Sequence, residues 1–168
     1  MHDRSDDLRF AGAGWCRLTA AAGFTLLELM VALSILGVLA VVSVPLYRSQ
    51  IDRANTARAV SDIGHVGLEI DRYRLAHDSP PDSLDQLSIK APLDPWGRPY
   101  EFLNFQTLGN AGKGQMRKDR NLVPINTEYD LYSRGPDGDT KPPLTAQPSL
   151  DDIVRANDGG YIGKADAY

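Results

Sequence analysis

Gly23-Phe24-Thr25-Leu26-Leu27-Glu28-Leu29-Met30 opens a stretch that runs on, apolar, to Val44-Pro45-Leu46. From Phe24 to Val44 the one charge is Glu28, and the other polar side chains are Thr25, Ser34 and Ser43. A run of about 20 apolar residues is long enough to cross a bilayer as a helix, and it exceeds the h-region of a secretory signal. The carboxylate is the odd feature. An ionisable group inside a membrane segment costs about 2.5–3.5 kcal/mol or more unless it is paired, so it marks a functional position unless it merely reaches the headgroups from the helix end.

Outward toward the N-terminus, residues 1–23 carry Arg4, Arg9 and Arg17 against Asp3, Asp6 and Asp7, and are neutral overall. The single cysteine of the 168-residue chain, Cys16, falls in this segment. Without it the remainder holds no disulfide, thiol nucleophile or zinc–thiolate site. The formal charge of −4 argues against nucleic acid as a primary partner, because nonspecific binding requires a basic face.

Toward the C-terminus the pattern turns polar but keeps a helical period. Between Tyr47 and Ile63 there is no Gly or Pro, and Val60, Ile63, Gly67, Ile70 and Arg74 follow the 3–4 spacing, with Val66 and Tyr73 beside them. One helix is predicted from about Phe24 to His77, kinked near Pro45, its second half packing on a head through that stripe. Gly64 and Gly67 each cost about 1 kcal/mol relative to Ala; either another element approaches closely there or the helix tolerates them. His65 and His77 lack metal-ligand partners at suitable spacing.

Ser79-Pro80-Pro81 ends the helix, and Ser83 to Gln86 has capping-box spacing for one helical turn. Pro95 and Gly97 impose a turn in Asp94-Pro95-Trp96-Gly97-Arg98-Pro99-Tyr100, with Trp96 expected under it. Tyr100–Phe105 and Glu128–Ser133 read as strands, and Asn157–Gly163 as a turn with a short final strand. Residues 106–124, rich in Gly, Lys and Arg, read as a solvated insertion. No base, nucleophile or oxyanion motif accompanies Asp94, so no enzyme is expected. Asp137, Asp139, Asp151, Asp152, Asn157 and Asp158 gather oxygen donors. Calcium takes about six to eight oxygens in a flexible loop, but Asp/Gly clusters are also what ordinary turns are made of.

Gly23-Phe24-Thr25-Leu26-Leu27-Glu28 resembles the cleavage-and-methylation signal of type IV pilins and type II secretion pseudopilins, and Pro45 falls at mature position 22, where that superfamily commonly has a proline. Asp94–Tyr100 resembles, more specifically, the Asp-Pro-Trp-Gly-x-Pro-Tyr motif of major pseudopilins. The resemblance implies an α+β, pilin-like fold: residues 24–46 as transmembrane and filament-core helix, 47–78 as the helix of the head, and 79–168 as a globular head with a small antiparallel sheet. It implies cleavage between Gly23 and Phe24 by a prepilin peptidase, which also methylates the new amine on Phe24. Glu28 and Pro45 become assembly residues, Glu28 pairing with the freed amine of a neighbouring subunit. The implied function is a structural subunit of a periplasmic pseudopilus that drives exoprotein export, with a surface type IV pilin as the alternative. Implied partners are other copies of the chain, minor pseudopilins, and an inner-membrane platform with its ATPase. The implied location is a single pass through a bacterial inner membrane with the head in the periplasm. A structural Ca²⁺ is implied too. Asp137 matches the family's Asp-Gly turn and Asp152 its Asp-Ile pair, Leu131 and Ser133 are candidate carbonyl donors, and Asp139, Asp151 and Asp158 are weaker candidates. Such an ion would stand in for the disulfide of many type IV pilins.

Overall fold

The computed structural model describes residues 23–168. The leader through residue 22, with Cys16 and the charges assigned to it, lies outside the described residues. The chain divides into a unit ending at Ser43 and a second unit, Val44–Tyr168.

A single helix, α1, spans Leu26–His77, as the periodicity predicts. Within the first unit, residues 23–43 are all solvent-exposed. Among the described residues nothing buries the apolar surface of this stretch, a contiguous patch larger than monomeric soluble proteins ordinarily expose. Pro45 sits inside the helix, where its missing N–H leaves the carbonyl one turn earlier without a helical donor. The helix ends at Asp78, which takes a left-handed φ of 57°, the conformation that closes helices at the first residue beyond them. Pro80 and Pro81 then prevent its continuation.

In the second unit the sheet is an antiparallel meander ordered β1 (Glu101–Asn104), β2 (Tyr129–Ser133), β3 (Ile153–Ala156) and β4 (Tyr161–Lys164). Its register pairs Phe102 with Leu131, Ser133 with Ile153, and Arg155 with Ile162. Both faces of the two middle strands are covered. Ala59, Ile63, Val66 and Ile70 of α1 form a core with Leu87, Tyr100, Tyr129, Leu131 and Ile153. On the opposite face Ile125, Leu144, Val154, Ala156 and Ala165 form a second core, with Tyr132 and Tyr161 against it. The helical stripe therefore packs as the 3–4 spacing requires.

Three expectations are corrected. Ser83 makes no side-chain cap for the short 3₁₀ turn at Leu84–Gln86; instead Gln86 Oε1 accepts from the Asp82 N–H at 2.8 Å. Residues 153–156, to which the sequence reading assigned no strand, form a middle strand. The 106–124 segment is not uniformly solvated: Lys113, Gly114 and Gln115 are exposed, but Arg117 is buried.

Candidate functional site

Two groups of residues carry the chemistry, one in each unit. In the first, Thr25 caps α1. Its Oγ1 accepts the Glu28 N–H at 3.2 Å and its carbonyl accepts the Leu29 N–H at 3.2 Å. This places Glu28 in the first turn, where the free N–H groups favour an anion. Around it Phe24, Leu26 and Leu27 are each about three-quarters exposed. Ser34 is absorbed by the helix itself, its Oγ donating to the Met30 carbonyl at 2.7 Å, so the hydroxyl adds little polarity. The most hydrophobic window of α1 has a mean hydropathy of 2.6 and, among the described residues, nothing packed over it. Among the described residues of this window Glu28 is the sole charge without an internal cationic partner within reach.

The second group holds the head together. Asp94 is buried. Its Oδ1 accepts the N–H groups of Trp96 at 3.1 Å and Arg98 at 2.7 Å, and its Oδ2 accepts the Ser133 hydroxyl at 2.7 Å. One carboxylate thus shapes the Pro95–Gly97 turn and ties it to β2. Arg98 extends the tie, donating through Nη2 to the Gly135 carbonyl. Gly135, at φ 64°, has no space for a side chain, because a Cβ would strike the Asp151 carbonyl, and Gly138, at φ 79°, takes a left-handed backbone with the Arg98 guanidinium over it. Tyr100 closes the motif by donating to Asp62 Oδ2 of α1 at 3.0 Å. Burial and the Asp62 carboxylate push its phenol well above the ordinary range. Asp94 is a structural acid.

The acidic residues proposed for calcium are drawn into other duties. Asp152, wholly buried, has Oδ2 engaged by Arg117 Nη2 at 2.5 Å and by the Thr140 hydroxyl at 2.6 Å. Asp151 Oδ2 accepts the Asp137 N–H at 3.3 Å, and Asp137 Oδ1 accepts the Asp139 N–H at 2.9 Å. Those are turn contacts on the surface. Asp158 clamps Thr127, accepting its N–H at 2.8 Å and its hydroxyl at 3.0 Å, and Asn157, beside it, shares the left-handed turn. Leu131 and Ser133 lie within β2, in register with Phe102 and Ile153, so their carbonyls lie in the plane of the sheet among ladder partners. Among the described residues no three His, Cys, Asp or Glu side chains come together as a metal-holding group. Asp137, Asp139 and Asp151 adjoin one another through those turn contacts and Asp151 precedes Asp152 in the chain, but the buried member of the set already faces the Arg117 guanidinium, and in that arrangement the set does not fit calcium.

Arg117 is the residue that sequence reasoning missed. It is 2% exposed. Its backbone N–H donates to Asp130 Oδ2 at 2.7 Å, Nη1 donates to the Thr140 hydroxyl at 2.5 Å and to the Lys141 carbonyl at 2.7 Å, and the guanidinium lies 4.4 Å from the Tyr132 ring centre. A second buried arginine, Arg155, lies over the Tyr129 ring at 4.3 Å. Burial raises Asp130 and Asp152 to about 6, against the opposing pull of hydrogen bonds and of the arginines. The one signal that pointed to Arg117 was Asp130 itself, an acid alternating with aromatic residues in a strand covered on both faces, which needs a partner.

Residues 18–44 match the family described as the prokaryotic N-terminal methylation motif. The chain is 31% identical over 138 residues to the type II secretion system core protein G of Pseudomonas aeruginosa, spanning 70% of this chain and 84% of that protein. It is 32% identical over 139 residues to the protein of the same name from Aeromonas hydrophila (70% and 85%) and 31% identical over 138 residues to that of Escherichia coli (70% and 83%). No solved structure matches the chain.

Proposed function

The chain belongs to the type II secretion system core protein G family, and from that premise we propose that it is a structural subunit of a periplasmic pseudopilus whose polymerisation drives exoprotein export. The observation that carries this reading is the uncovered apolar stretch of α1 with Glu28 in its first turn. Before assembly residues 24–46 rest in the inner membrane as a single pass, with residues 47–168 on the periplasmic side. Prepilin peptidase cuts between Gly23 and Phe24 and methylates the new amine, which keeps its charge. The ammonium of one subunit then meets Glu28 of the next. Two groups that are each costly in an apolar medium become tolerable together, and the pair sets the axial register of identical subunits. The apolar helices bury one another as they leave the lipid. The platform protein, its ATPase and minor pseudopilins are the machinery this cycle requires. The chain itself performs no chemistry; its head is a rigid body held by Asp94, Tyr100 and Arg117.

The test is Glu28→Leu in a strain lacking the native chain. Mass spectrometry should find the variant cleaved after Gly23. Leaving the ammonium unpaired costs about 3–5 kcal/mol per junction, which is a hundredfold or more in subunit addition. Filaments and exoprotein in the medium should therefore fall to background. Normal secretion by that variant would refute the pairing. Normal secretion by the strain without the chain, accompanied by loss of a surface filament, would assign the chain to a surface pilus instead.

A further inference from the structure

We propose that Arg117 supplies, from within the chain, the cation that accompanies Asp152, so that the C-terminal loop of the head closes without a bound metal ion. The loop from Asp137 to Asp152 departs from β2 and returns to β3 through a Pro-rich insertion. A segment of that length must be fastened, because ordering it costs about 1–2 kcal/mol per residue in backbone entropy alone. The mature chain has no cysteine to do so.

The fastening is visible, and it converges on one side chain. Arg117 bonds the loop at three points: Thr140 Oγ1, the Lys141 carbonyl and Asp152 Oδ2. The strand-like backbone around it adds two more contacts. Lys118 N–H donates to the Pro142 carbonyl at 3.0 Å, and Leu144 N–H to the Lys118 carbonyl at 2.8 Å. Ser149 then closes the insertion on itself, exchanging 2.8 Å bonds with the Lys141 N–H and carbonyl. The buried Leu144 side chain, carried in by this arrangement, completes the second core.

Two orphaned atoms lie on this pair of side chains. Arg117 Nε and Asp152 Oδ1 are both buried without a hydrogen-bond partner. One is a donor and the other an acceptor on the same two side chains. The side-on fork that guanidinium and carboxylate prefer would use both. A divalent ion would satisfy Oδ1 but would leave the guanidinium buried beside it, with two like charges in a site of low polarity. Of the remaining candidate acids, Asp137, Asp139 and Asp158 are exposed and Asp151 is half-buried.

The experiment uses the full chain in detergent micelles, with unfolding of the head followed by near-ultraviolet circular dichroism and calcium binding by calorimetric titration with calcium chloride. The expected result is no heat of binding and a melting temperature that does not change between excess EDTA and millimolar calcium. A bound ion at a hundred times its dissociation constant would raise the midpoint by about 5–10 °C, and that rise would overturn the proposal. Arg117→Met leaves Asp152 buried without a counterion and should lower the midpoint by about 6 °C or more. The paired variant Arg117→Met with Asp152→Asn removes both charges and should recover at least half of that loss. A single variant that melts like the parent, or a paired variant that melts no higher than the single one, would overturn the proposal. None of these outcomes depends on whether the chain works in a secretion filament.

Discussion

Asp94 shows how much one side chain can organise. Its two oxygens serve three donors, and one of them, the Ser133 hydroxyl, is wholly buried. Replacing it with Ala strands those donors. Each buried group left without a partner costs about 1–3 kcal/mol, so Asp94→Ala should destabilise the head by about 2–4 kcal/mol. A thermal melt of the full chain in detergent should fall by about 5–15 °C; a loss under 2 °C would show that water replaces the carboxylate. At this scale the sequence was legible where a turn is written in Pro and Gly, as around Asp94, and where a charge interrupts an apolar run, as at Glu28. It was illegible at Arg117. An arginine followed by Lys118, Asp119 and Arg120 in a glycine-rich stretch has the composition of a solvated loop. Only the three-dimensional return of residues 140–152 gives it acceptors. The same return withdraws Asp152 from the oxygen cluster that composition alone suggested for calcium.

Among the elements, α1 was the most legible because most of its signals agree: apolar length, no Gly or Pro from Tyr47 to Ile63, a 3–4 stripe, and a double proline beyond its end. β3 was hidden for a physical reason. Ile153, Val154, Arg155 and Ala156 are all buried, so the period-2 alternation that marks a half-exposed strand has nothing to alternate with. Its arginine further disguised it, since the cation is spent on the Tyr129 ring and Asn126 rather than on water. The helix glycines admit a sharper test. A Cβ at Gly67 would meet Arg155 Nε and Tyr129 Oη at 3.9 Å, and one at Gly64 would meet Ile162 Cδ1 at 3.8 Å. Those are ordinary van der Waals contacts. The sheet approaches closely, yet space for a methyl group remains. Gly67→Ala should therefore express the helix-propensity gain of about 0.8–1 kcal/mol, raising the midpoint of the head by about 2–4 °C. A lower midpoint would mean that the sheet cannot yield even a few tenths of an ångström to the new methyl group.

At the scale of the whole molecule, the second unit buries more charge than a domain of its size needs: Asp94, Asp130, Asp152, Arg117 and Arg155. That choice has a thermodynamic signature in pH. Asp130 faces the Arg117 N–H, Asn126 and Arg155, and Asp152 faces Thr140, Arg117 and Asp151, yet burial outweighs these and raises both acids from 3.8 to about 6. In the unfolded chain both titrate near their ordinary value of about 3.9. Between about pH 4 and pH 6 the folded state therefore holds protons that the unfolded state has released. The linkage relation then gives a stability that falls as pH rises through that window. The contribution is fully present below about pH 4 and is lost above about pH 6. The head should melt at a higher temperature at pH 4.5 than at pH 7.5, contrary to the acid lability of proteins whose carboxylates are stabilised by folding. At neutral pH both acids are ionised, as the Arg117 contact with Asp152 requires, and the protein carries the desolvation cost of that state. A melt in detergent across pH 4–8 reads the sign directly. A midpoint that drops on acidification would mean that proton uptake by Asp130 and Asp152 does not govern the pH dependence of the head.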